Sequence, residues 1–179
     1  FRDSFVANLT AEIEQYRSKG IPVYTLSMGD NSFDIYWYDY LCDIGDFRRT
    51  LAEVKYPTPF FNTMGNHDND GRTTAGDDVD LRASAPFRKT LGPTHIAFNL
   101  GKVHYILIDD ILYRNSFPSS TGDPLLGQRD YSCGFRTDMI EWVKQNLSYV
   151  DKKTPIVVGM HSPLCYWTGS YNSGEFTYD

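Results

Sequence analysis

The strongest constraint in this 179-residue sequence is a pattern met three times: an apolar, strand-like run that stops at a polar cluster. Ile21–Met28 stops at Gly29-Asp30, Phe60–Met64 at Gly65-Asn66-His67-Asp68, and Pro155–Met160 at His161. Short apolar runs bounded by turn signals read as strands buried in a sheet. Helical spacing fills the intervals. Phe5, Leu9, Ile13 and Tyr16 recur at that spacing ahead of Gly20, and Met139, Val143 and Leu147 do so before the last run. Further helices are expected over 38–54 and over 81–91, the latter interrupted by Pro86. A tight turn at Gly101-Lys102 joins two strand-like segments, His95–Leu100 and Val103–Asp109. Alternating helices and strands predict an α/β domain.

In α/β sheets, ligands bind at the carboxyl ends of strands. Asp30, Asn66 and His161 all fall there, and a carboxylate, an amide oxygen and an imidazole suit a divalent cation of the zinc, manganese or iron kind. The glycines before Asp30 and Asn66 allow the backbone to turn sharply and approach an ion. Taken singly, Asp30 reads better as a strand-end turn residue, His161 as a hydrogen-bonded structural histidine, and Asn66 as part of a turn. Their common placement at strand ends favours a site. Asp109 and Asp110 also end a strand and read as a structural turn, with a supporting role behind the site as the alternative. His95 and His104 sit in strand-like alternation and read as structural.

The order Gly-Asp, then Gly-Asn-His-Asp, then His-Ser-Pro after a buried strand resembles the calcineurin-like metallophosphoesterase superfamily. The resemblance covers nearly the whole chain, and Gly65-Asn66-His67-Asp68 is its most specific element. It implies a two-sheet β-sandwich flanked by helices, and hydrolysis of a phosphomonoester or phosphodiester with a metal-bound hydroxide as nucleophile. Asp30 would bridge two divalent metal ions (Mn, Zn or Fe), with Asn66 and His161 completing one shell. His67 would stand beside the substrate phosphate as general acid or transition-state stabiliser, and Asp68 would orient it.

The family's opening Asp-x-His and closing Gly-His-x-His motifs have no match in 1–179. The chain is therefore expected to be a partial catalytic domain, incomplete at both ends, that holds at most one metal. The alternative is a non-catalytic relative that keeps the fold as a binding module. Phe33 stands where the purple acid phosphatase branch has an iron-ligating Tyr, which disfavours that branch.

The remaining features bound the partners. A net charge of -6 and the lack of basic clusters argue against nucleic acid, whose binding depends on Lys and Arg at phosphates. A small phosphorylated substrate stays open, because bound cations make a site locally positive. No apolar run reaches membrane-spanning length. Cys42, Cys133 and Cys165 form no C-x-x-C pair and allow at most one disulfide. The richness in Tyr, Asn and Ser leans towards an exported protein, and the oligomeric state is left open.

Overall fold

A computed structural model describes residues 2–32, 43–71, 73, 75–114, 131–163, 165–167 and 176–178. Among them the chain is a mixed α/β protein. Helix α1 (Arg2–Arg17) leads to strand β1 (Thr25–Ser27), helix α2 (Ile44–Glu53) and strand β2 (Phe60–Asn62). Two short helices follow, α3 (Val79–Ala83) and α4 (Ala85–Thr90), then strands β3 (Ile96–Leu100), β4 (Val103–Leu107), β5 (Ile111–Tyr113) and β6 (Tyr131–Cys133). Helix α5 (Thr137–Ser148) precedes β7 (Ile156–Gly159), β8 (Cys165–Trp167) and β9 (Phe176–Tyr178).

The first and last helices extend beyond the expected positions, whereas several strands are shorter than the apolar runs that mark them. The run Ile21–Met28 contributes three residues to β1, whose ladder among the described residues is the parallel one with β2, in register Thr25↔Phe60 to Ser27↔Asn62. The helix expected over 38–54 is described from Ile44. Asp43 caps it in a reciprocal box in which its side chain accepts from the Asp46 N–H and the Asp46 side chain accepts from its own N–H. The helix expected over 81–91 is two pieces broken at Ser84, two residues ahead of Pro86, which sits in the first turn of α4 where a missing N–H costs nothing. Most of the excursion expected over 115–133 lies outside the described residues, and its last three residues form β6, paired antiparallel with β5.

Strands β3 and β4 form the expected hairpin, and β4 runs parallel to β7 with Leu107 opposite Gly159. The expectation of a fully buried final strand is corrected. Ile156, Val157 and Val158 are 44%, 41% and 49% exposed, because β7 is bonded to β4 along one edge and no other described strand lies against it. By hydrogen bonding the described strands form four small sheets, β1-β2, β3-β4-β7, β5-β6 and β8-β9.

Two apolar clusters hold these elements. Met64, two residues beyond β2, packs with Ile44 of α2 and Phe87 of α4. Ile106 and Ile108 pack with Met139, Val143 and Leu147 of α5. Complete burial of Met64 and Phe87 fixes the position of the segment that follows β2, where the Gly65-Asn66-His67-Asp68 motif begins. An apolar cavity of about 270 Å³ lies between α5 and the β4–β7 pair and contains none of the candidate site residues. No helix of the described residues is long and apolar enough to cross a membrane.

Candidate metal centre

Parallel pairing of β1 with β2, and of β4 with β7, brings three loops to one end of the strands. The loop after β1 contains Gly29 and Asp30, both in the left-handed region at φ 98° and 52°. Glycine takes this conformation freely, and Asp is one of the few other residues that tolerates it. A side chain on Gly29 is excluded twice, because a Cβ there would lie 2.6 Å from His161 Nδ1 and 2.8 Å from Gly65 Cα. Gly29 is thus the point at which all three loops touch.

Asp30, Asn66 and His161 come together as the sequence suggests. His161 Nε2 lies 2.8 Å from Asn66 Oδ1 and 3.5 Å from Asp30 Oδ1. The other ring nitrogen, Nδ1, lies 2.8 Å from the Met28 carbonyl oxygen. A carbonyl can only accept, so Nδ1 carries a hydrogen and donates it. In the neutral imidazole Nε2 is then a bare lone pair facing two oxygen acceptors. A proton on Nε2, an Asn66 amide turned to present its Nδ2, or a cation among the three atoms each satisfies this arrangement. Fixing the tautomer through Nδ1 is what a metal-binding histidine requires. The donor set is one carboxylate, one amide and one imidazole. Among the described residues no group of three or more His, Cys, Asp or Glu is placed to hold a metal ion, and only two of these three donors are of those types.

His67 is half-buried. Its main chain is fixed at both ends: its N–H donates to Asp30 Oδ1 at 3.0 Å, and its carbonyl lies 3.0 Å from the Ser32 hydroxyl.

Asp68 is placed differently from the expectation that it orients the His67 ring. It is 1% exposed, and its carboxylate joins the first two loops. Oδ1 accepts from the Ser32 N–H at 2.8 Å, with the Ser32 hydroxyl at 3.0 Å; Oδ2 accepts from the Gly65 N–H at 2.8 Å and Asn31 Nδ2 at 3.2 Å. These bonds use the lone pairs of both oxygens, which is why the side chain turns inward. Burial pushes the Asp68 carboxyl above the usual carboxylate range, opposed by the Gly65, Ser32 and Asn31 N–H groups.

The loop residues Asn31 and Ser32 were not singled out by the sequence, although both are short polar residues next to Asp30, a composition typical of side chains that bond to nearby backbone. Asn31 Nδ2 also donates to the Thr63 carbonyl at 2.9 Å. The Met28 carbonyl has no sequence signal, being a backbone atom. Asp110, read from the sequence as a structural turn with a supporting role as the alternative, also reaches the site. It is 2% exposed and accepts the N–H groups of His161 at 3.1 Å and Ser162 at 2.8 Å. Asp109, beside it, turns away and accepts from the Ile111 N–H at 3.1 Å.

The two other described histidines are structural, as expected. His104 bridges Asn99 Oδ1 and Asn146 Oδ1 at 2.8 and 2.7 Å, and the His95 ring sits edge-on to Trp142 at 4.8 Å. No family model, curated protein or solved structure matches this chain.

Proposed function

We propose that this protein is a metal-dependent phosphoesterase of the calcineurin-like type, acting on a small phosphorylated substrate. The observation that carries the reading is the approach of His161 Nε2 to Asn66 Oδ1 and Asp30 Oδ1, with Nδ1 already committed to the Met28 carbonyl. Three electron-pair donors on three separate loops face one another, and the loops are cross-linked so that they stay there. A divalent cation resolves that crowding of lone pairs and would be held by Asp30, Asn66 and His161.

Divalent metal supplies, when bound, a Lewis acid that polarises phosphoryl oxygens and makes water nucleophilic near neutral pH. The chain's own residues do the rest. His67 follows Asn66 directly, and its main chain is fixed to Asp30 and Ser32. From that fixed backbone its ring would reach the rim of the site, where an N–H would donate to the leaving oxygen of the ester. Asp68 acts through the loops and not through the His67 ring. For the fold, we propose that β1-β2 and β3-β4-β7 belong to one layer of a two-sheet sandwich. The support is the stacking of Phe61 in β2 on Phe98 in β3, with ring centres 4.2 Å apart and planes at 16°, continued by Phe98 on Tyr105 at 5.4 Å.

The test is calorimetric titration of the full-length protein with Mn²⁺ and with Zn²⁺, alongside turnover of p-nitrophenyl phosphate and its bis-ester. Metal binding that is lost in His161→Ala, together with turnover that a chelator abolishes, is the expected result. A well-folded protein that binds neither metal and turns over neither ester would overturn the proposal in favour of a binding module.

A further inference from the structure

We infer that Asp110 is a positioning residue for the metal centre, setting the orientation of His161 by holding the backbone behind it. The inference rests on the metal-site reading above. It starts from a residue with no atom placed among the converging donors, yet whose carboxylate is committed to the loop that carries one of them.

Asp110 stands between β4 and β5, three residues beyond the last β4 residue. The β4–β7 ladder runs on past its last paired residues, with the Ile108 N–H donating to the Gly159 carbonyl at 2.9 Å. Asp110 is thereby brought alongside the chain as it leaves β7. Its two carboxylate oxygens then take two successive amides, Oδ1 from His161 and Oδ2 from Ser162. One carboxylate accepting two adjacent N–H groups fixes the two peptide planes that flank the His161 Cα and so the direction of the His161 Cα–Cβ bond. The Asp110 carbonyl accepts from the Gly134 N–H at 2.9 Å, which fixes Asp110 from the side of β6.

The His161 ring is thus constrained at both ends. Asp110 holds its main chain, and the Met28 carbonyl holds Nδ1. With both in place, Nε2 has one direction left, towards Asn66 and Asp30. Without Asp110 the backbone after Gly159 could rotate and draw Nε2 out of line. The neighbouring Asp109 makes the contrast. It is equally buried, but its carboxylate reaches the Ile111 N–H and no atom of the 159–162 segment.

The experiment compares Asp110→Asn with Asp109→Asn in the full-length protein. The readouts are the Mn²⁺ dissociation constant by calorimetry, and kcat on bis-p-nitrophenyl phosphate at limiting and saturating Mn²⁺. In Asp110→Asn the side-chain NH₂ replaces one acceptor and confronts a backbone N–H. Mn²⁺ affinity should fall about 10–100-fold, as for other groups that orient a ligand from behind. Most of kcat should return at saturating Mn²⁺, which a merely misfolded fraction would not show. Asp109→Asn should bind Mn²⁺ like the unaltered protein. Unchanged affinity in Asp110→Asn, or an equal fall in Asp109→Asn, would overturn the inference while leaving the metal site standing. Failure of the unaltered protein to bind Mn²⁺ at all would overturn the site itself, and the inference with it.

Discussion

Gly65 packs its backbone against Asp30 so closely that a Cβ on Gly65 would collide with both the carboxylate and the main-chain nitrogen of Asp30. This contact joins the second loop to the first. Gly65→Ala must therefore displace Asp30. Overpacking of this kind costs about 1–3 kcal/mol, and here the displaced group is a proposed ligand. A lower melting temperature together with weaker Mn²⁺ binding is the expected outcome. A variant that binds Mn²⁺ normally would show that Asp30 is free to move without consequence.

Asn66 and His67 are adjacent but take different parts. Asn66→Ala removes a donor atom and should lower both metal content and turnover. His67→Ala should lower turnover about 10²–10⁴-fold, the usual contribution of a positioned general acid, and leave metal content nearly intact. Elemental analysis of the two purified variants separates these cases. Equal metal loss in both would place His67 among the ligands.

Asp68→Ala should act on stability before chemistry. The Ser32 and Gly65 N–H groups would lose their buried acceptor, at about 1–3 kcal/mol for each donor left unpaired. Urea denaturation should show a lowered midpoint with the slope unchanged. If stability were unaltered while turnover fell as in His67→Ala, the carboxylate would belong with the His67 ring after all.

Asp109 predicts a pH dependence. Burial, first, and then the nearby Asp80 and Asp110 carboxylates push its carboxyl up to about 7, from an ordinary value of 3.8. The folded chain therefore keeps this proton over a range where the unfolded chain has lost it. Proton release on unfolding makes stability fall as pH rises from about 4 towards 7, and the penalty then levels off above the folded value. Asp109→Asn removes the titration. Its melting temperature relative to the unaltered protein should therefore rise between pH 5 and 8. Parallel melting curves across that range would refute the assignment.

Much of this protein can be inferred from local pattern. Helical spacing marks α1 and α5, and the Gly101-Lys102 turn marks the β3–β4 hairpin. The three strand-end clusters point to Asp30, Asn66 and His161, because an apolar run that stops at a polar residue is a local signal readable without knowing its neighbours. Tertiary structure alone decided how those residues are held. Asp68 and His67 are adjacent in sequence, yet the Asp68 carboxylate turns to Ser32 and Asn31, more than thirty positions away. His161 is oriented by Met28 and Asp110, which lie 133 and 51 positions distant. The exposure of β7 is likewise a matter of which strands pair with it, and its apolar sequence carries no trace of that. Composition and periodicity report what a segment can become, whereas buried carboxylates and backbone amides find partners only when the loops meet.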